Sequence, residues 1–535
     1  MHCDLLIQNA TIVDGTGSPA FDGDITVTGD RIIRVFDASR QQRFEGEAAK
    51  VIDARGRIAT PGFIDVHSHS DINILANPNG ESKLRQGITT EIVGNCGFSA
   101  FPLRGATLAE EAEVNRKVGV ETTWDTADGY FRTLEQARPA FNIATFVGHG
   151  NIRGSVVGFD DRPCTPDELK VMIREVEDAM DAGALGLSTG LIYTPGMFAE
   201  VSEIVELQKA AEAKGGMYAS HVRGEGDTLL EAADEFMTIV DQARCQGQFS
   251  HLKASGPRNW GKVARVIEQI EQANARGGDV RFDKYPYVAS STELASLLPR
   301  WVRNGGRDSA MERLSDATNK DGIIHESEQI NEGKDGWDSV LICEAGAPEF
   351  EKYQGQSVGE IARQLGLAGG EAFIELLRAS RLSTSICNFT MSEDETDMAI
   401  LHPLGMVCSD AACRAPYGAL LYDCPHPRAY GTFGRFFRDY VKTRKLLTLE
   451  QAVHKVTAFS CDTFGLKNRG RIAAGNYADL LVIDFPRYTD KAEFARPHQY
   501  CEGIDAIIVN GVLTLEGDQH TGNRGGKVLR RNATP

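Results

Sequence analysis

His67 and His69 stand one residue apart in FIDVHSH, and the period of two along a strand puts both imidazoles on one face. Three more groups of the same chemical kind end β-rich runs further along: His221 in YASHVRGEG, His251 in QFSHLKASG and Asp410 in MVCSDAA. Imidazoles and a carboxylate that converge are ligands for zinc or a neighbouring borderline cation. Such an ion activates water and polarises a carbonyl, and Asp410 is the carboxylate placed to take a proton and return one to a leaving nitrogen. His149, in VGHGN, ends another run at the same cavity and either lines the site or supports a residue that does. Lys253, two residues beyond His251 and on the same strand face, is placed to meet a carboxylate. Cys408, next to Ser409 and Asp410, reads as barrel packing.

Elements must bring these groups together. Eight short β-rich runs can be picked out: 63–69, 90–97, 142–150, 184–191, 217–223, 248–254, 280–287 and 405–411. Helical stretches such as Pro166–Ala182, Val201–Lys214 and Asn259–Arg276 separate several of them. Alternation of strand and helix predicts an α/β fold with a parallel sheet, and eight units predict a closed (β/α)8 TIM-type barrel. The candidate residues fall at the C-terminal ends of the strands, where barrel enzymes carry their chemistry. The two chain ends read differently, as short alternating strands with Gly and Asp turns. Residues 1–60 and 465–535 are therefore expected to form one small β-sandwich domain beside a catalytic barrel over 61–464. Between strands seven and eight, residues 301–344 are polar and irregular and predict an inserted lid-like segment, with a disordered loop as the alternative.

Of the 535 residues, 57 are Lys or Arg and 75 Asp or Glu, a formal net charge of −18. That excess argues against nucleic acid as a partner, because binding a phosphate backbone takes a basic surface. No apolar run reaches membrane-spanning length, and the first residues lack the basic region and apolar core of a signal peptide. The 11 cysteines then read as reduced thiols. A cytoplasmic enzyme acting on a small molecule, with no nucleic-acid and no membrane partner, is the expectation.

The run TPGFIDVHSH (60–69) closely resembles the first-strand signature of the amidohydrolase superfamily, and the sandwich from both chain ends and the later histidines and aspartate resemble it too. Many members carry a metal-bridging lysine on strand four, whereas GALGLSTGL has none. Cys96 instead ends strand two in VGNCGFS, which resembles the N-acyl-D-amino-acid deacylase (D-aminoacylase) branch. The resemblance implies a tightly bound zinc on Cys96, His221 and His251, and a second, weaker metal position on His67, His69 and Asp410. One thiolate with two imidazoles is a zinc set that leaves a vertex open. It also implies that Lys253, Tyr285, Ser291, Arg428 and Tyr193 grip the substrate, an N-acyl-D-amino acid, with Arg414 a competitor of Arg428. Leu294, Leu297, Leu298 and Trp301 suit an apolar D-side-chain pocket, so neutral substrates are expected ahead of acidic ones. Arg300 would instead meet the second carboxylate of an N-acyl-D-glutamate or -aspartate. A cyclic-amide hydrolase of the hydantoinase or dihydroorotase type is disfavoured by the missing lysine, and a non-catalytic scaffold by the complete ligand set.

Overall fold

A computed structural model describes residues 2–531, apart from 332 and 334. The barrel strands are Phe63–Asp65, Ile88–Val93, Asn142–Thr145 continued by Val147–Gly148, Gly186–Gly190, Met217–His221, Gly247–Phe249, Val280–Lys284 and Gly405–Val407. Neighbours pair in parallel and in chain order. The ring closes where Ser68 bridges Ala411 and the Asp410 amide donates to the His67 carbonyl at 2.8 Å. Ile64, Val66, Ile92, Ala144, Phe146, Leu185, Met217, Ala219 and Met406 fill the interior as one cluster, the packed core that a closed eight-stranded sheet requires. Helix Pro166–Ala182 forms over its expected span because both ends are specified. Thr165 and Glu168 make a reciprocal cap around Pro166, and Gly183 ends the helix at φ 113°.

The strands are shorter than their apolar runs. Cys96, His251 and Asp410 adopt φ of 55°, 34° and 48°, a left-handed backbone that ends strand pairing and is costly for residues with a side chain. His67 and His69 likewise lie past the end of the first strand at Asp65. Strand alternation therefore does not place His67 with His69, or His251 with Lys253. The turns at the strand ends do.

The sandwich expected from the chain ends is one nine-stranded sheet built from both of them. Strand His2–Ile12 is its branch point, pairing with Phe21–Thr28, Glu47–Asp53 and Ile58–Pro61. Ile58–Pro61 pairs with Leu480–Ile483 and so joins the first residues to the last. Alternation sorts the faces: Leu480, Val482 and Ile508 pack with Leu5, Ile7 and Ile25, while Leu481, Ile483 and Ile507 pack with Phe63 and Phe433 of the barrel unit.

The segment between the seventh and eighth strands is not irregular, and it extends beyond 301–344. Strands Ala289–Glu293, Ser385–Phe389 and Val340–Glu344 form an antiparallel sheet in that order. Helices Gly306–Ser315, Lys320–Ile330, Val358–Leu365 and Gly369–Ala379 surround a core of their own. Leu294, Leu297 and Leu298 belong to that core and Trp301 is 40% exposed, so these four do not form the expected side-chain pocket. Among the described residues no helix is long and apolar enough to cross a membrane, and all 11 cysteines are unpaired.

Candidate metal centre

Two donor groups meet at the C-terminal mouth of the barrel. Cys96, His221 and His251 form one, and His67, His69, Cys96 and Asp410 the other, with ligand atoms inside each group all within 4.8 Å of one another. Cys96 belongs to both: its Sγ lies 3.3 Å from His67 Nε2 and 3.4 Å from His251 Nε2. Asp410 Oδ1 lies 3.1 Å from His69 Nε2 and 3.4 Å from His67 Nε2. Burial opposes ionisation of Cys96, yet His67 and His251 outweigh it and hold the thiol well below its ordinary range. Burial would likewise raise the Asp410 carboxyl, but Arg428, His251 and His67 keep it far below the usual carboxylate range. Both groups are thus held in the form that binds a cation. The residues also fit a metal by what they leave unmet, since among the described residues both ring nitrogens of buried His221 have no hydrogen-bond partner.

A polar layer behind the ligands escaped the reading of the sequence. Glu225, in the loop after strand five, lies 3.2 Å from His251 Nδ1 and 3.5 Å from His221 Nε2, and accepts from Lys253 Nζ at 2.5 Å. Asp283 accepts from the His251 amide at 2.7 Å, lies 3.4 Å from His67 Nδ1 and takes the Cys408 thiol at 3.1 Å. Cys408 therefore serves Asp283 and stands outside both donor groups. Asp283 carried a readable signal, two residues before Tyr285 near the end of the seventh strand, whereas Glu225 lies in a loop with no periodicity. Glu225→Gln is expected to weaken metal binding about 10- to 100-fold, read by competition with a chromophoric chelator, because a neutral amide holds Lys253, and through it the His251 ring, less strongly than a carboxylate does.

The expected substrate-gripping residues divide. Lys253 Nζ lies 2.6 Å from His251 Nδ1, and the Arg428 guanidinium pairs with Asp410 Oδ2 at 2.8 Å and donates to the Ser291 carbonyl at 3.3 Å. Both cations face the Tyr285 ring, at 6.0 and 4.6 Å from its centroid, and the buried Tyr285 hydroxyl has no hydrogen-bond partner among the described residues. Tyr193 sets its ring edge-on to His221 at 5.0 Å and shares a hydrogen bond with Thr292 at 3.1 Å. Arg414 is turned elsewhere, held by Asp423 at 3.1 Å. His149 is buried against Glu203, 2.8 Å from Nε2, and Arg153 pairs with the same carboxylate. It belongs to neither donor group. Arg300 pairs with Asp161 at 2.6 Å, half exposed. Beyond His69 and Tyr193 opens a cavity of about 480 Å³, walled by Phe98 and Glu111 on the barrel side and by Arg303 and Arg307 of the inserted unit.

A (β/α)8 barrel that gathers a thiolate, four imidazoles and a carboxylate at its strand ends defines a metal-dependent hydrolase scaffold. The comparisons agree: residues 50–285 and 422–514 match the model of the amidohydrolase family. The chain belongs to that family, within its N-acyl-D-amino-acid deacylase branch. It is 35% identical to an N-acyl-D-glutamate deacylase of Alcaligenes xylosoxydans xylosoxydans over 99% of this chain and 97% of the relative. It is 32% identical to the D-aminoacylase of the same organism, over 99% of this chain and 98% of that one. Among solved structures, N-acyl-D-glutamate deacylase from Bordetella bronchiseptica, complexed with zinc and a phosphonate inhibitor, superposes with a TM-score of 0.83 at 32% identity, covering 99% of this chain and 100% of that one.

Proposed function

We propose that this chain hydrolyses the linear amide bond of N-acyl-D-amino acids to a carboxylate and a free D-amino acid, with neutral D-side chains favoured over acidic ones. One observation carries the reading: the two donor groups that share Cys96 lie directly beside the cations that face Tyr285. Cys96, His221 and His251 would hold a tightly bound zinc, and His67, His69 and Asp410 a second, weaker position. Zinc bound there supplies a Lewis acid for the amide carbonyl and an acidified water. The chain's own residues do the rest. Asp410, with Oδ2 fixed by Arg428, presents Oδ1 to the reacting centre, takes the proton of the attacking water and returns one to the leaving nitrogen. Lys253, Arg428 and the free Tyr285 hydroxyl receive the α-carboxylate, with Ser291 and Tyr193 beside them. Arg303 and Arg307 of the inserted unit line the cavity next to His69. The preference for neutral side chains is supported by Arg300, whose guanidinium is already taken by Asp161.

An acid-specific deacylase is the second reading, favoured by the relatives named N-acyl-D-glutamate and N-acyl-D-aspartate deacylase, at 35% and 32% identity. A hydrolysis panel of N-acetyl-D- and N-acetyl-L-Leu, Met, Phe, Glu and Asp, run before and after chelation and zinc restoration, separates them. The expected result is activity on D-substrates alone, restored by zinc, with Leu ahead of Glu by about tenfold or more in kcat/KM. Glu ahead of Leu would establish the acid-specific reading. A zinc-loaded protein inert towards the whole panel would overturn both.

A further inference from the structure

Lys284, the last residue of the seventh barrel strand, is 1% exposed. Its ammonium group has one polar neighbour, the Met391 thioether sulfur at 2.8 Å, and no carboxylate pairs with it among the described residues. Taking an ammonium ion out of water costs several kcal/mol unless an anion or good acceptors compensate, and a thioether is a weak acceptor. Packing alone would be served by a methionine.

The position of this charge is specific. Lys284 Nζ lies 4.5 Å from the centroid of the Tyr285 ring, closer than Arg428 at 4.6 Å or Lys253 at 6.0 Å. Burial, with the neighbouring Lys253, pushes the pKa of the Lys284 ammonium down to about 7, so in its protonated form it is a third cation around one phenol. Two of the three hold anions already, Lys253 with Glu225 and Arg428 with Asp410, and Lys284 does not. Alternation along the strand turns Lys284 away from Asp283, whose carboxylate faces His67 and His251. A cation against an aromatic face draws on the ring's electron density. In a phenol that makes the hydroxyl a stronger donor, and the Tyr285 hydroxyl is buried and without a hydrogen-bond partner among the described residues.

We propose that Lys284 is a positioning residue for substrate binding: its unpaired charge holds and polarises the Tyr285 ring, so that the hydroxyl is presented as a strong donor to the substrate carboxylate. This deepens the function proposed above and rests on its assignment of Tyr285 to the carboxylate grip. Lys284 touches no substrate atom. It acts through Tyr285, and the anion it lacks arrives with the ligand.

The test is a double-mutant cycle on the zinc-loaded enzyme with N-acetyl-D-leucine, using Lys284→Met, Tyr285→Phe and the double variant. Lys284→Met is expected to raise KM about tenfold with kcat changed less than about threefold, and Lys284→Arg to restore most of the loss. With Tyr285→Phe already in place, Lys284→Met should change KM by less than about twofold, because the group through which it acts is gone. Equal losses from Lys284→Met in both backgrounds, or a Lys284→Arg variant no better than Lys284→Met, would overturn the proposal. If Lys284→Met does not fold, Lys284→Arg against Lys284→Gln decides in the same way, with melting temperature recorded for each. Failure of the underlying reading has a separate signature: Tyr285→Phe alone would then leave KM for N-acetyl-D-leucine unchanged.

Discussion

Asp410→Asn is expected to lower turnover of N-acetyl-D-leucine by about 10²- to 10⁴-fold while the metal on Cys96, His221 and His251 stays bound. The amide matches the carboxylate in size but cannot accept the proton of water or return one to nitrogen. Cys96, His221 and His251 form a donor group that does not include Asp410, so zinc content by elemental analysis should remain near the wild-type value. Arg428 loses its anion at 2.8 Å in the same variant, and KM is expected to move as well, by less than kcat. Loss of the tight metal together with activity would make Asp410 chiefly a ligand. Retained metal with nearly normal turnover would remove it from proton transfer altogether.

Lys83→Met is expected to be the most damaging change to stability, by about 3–5 kcal/mol. Lys83 is fully buried beneath the metal ligands, with Asp65 at 2.8 Å, Glu91 at 2.9 Å and the Ser409 hydroxyl at 2.6 Å. Removing the ammonium leaves two buried carboxylates facing each other without a counter-ion. Denaturant midpoints should show the loss. The triple variant Lys83→Met, Asp65→Asn, Glu91→Gln should recover much of it, because an uncompensated charge costs more than a neutral replacement of the whole set. A single variant as stable as wild type would show that water reaches this layer.

The barrel was legible because each strand is a short β-rich run with a turn signal on either side, and most carry chemistry at their ends. His67, His221, His251 and Asp410 could be picked out for that reason, before any contact was known. The extents of the strands were not legible, since left-handed residues such as His251 and Asp410 end the pairing without a glycine to announce it. The inserted unit was misread because its helices are polar, as in Lys320–Ile330, where Ile323 and Ser327 are the buried residues. Lys83 and Glu225 were invisible for a different reason. An isolated charge in a sequence reads as surface, and only the fold shows that Lys83 meets Asp65 and that Glu225 meets Lys253.

The sheet that joins the two chain ends also governs how the molecule can be made. Strand Ile58–Pro61 emerges from synthesis early, but its antiparallel neighbour Leu480–Ile483 belongs to the last stretch of the chain. Throughout translation of the barrel, the amino-terminal strands therefore keep an open β edge and leave Leu5, Ile7 and Ile25 without their late-made partners Leu480 and Ile508. An unpaired edge beside apolar side chains is where nascent chains associate wrongly. Stalled or truncated products lacking the final strands should therefore aggregate even though every barrel strand is present, and recombinant yield should depend on chaperone supply more than a barrel closed on itself would require.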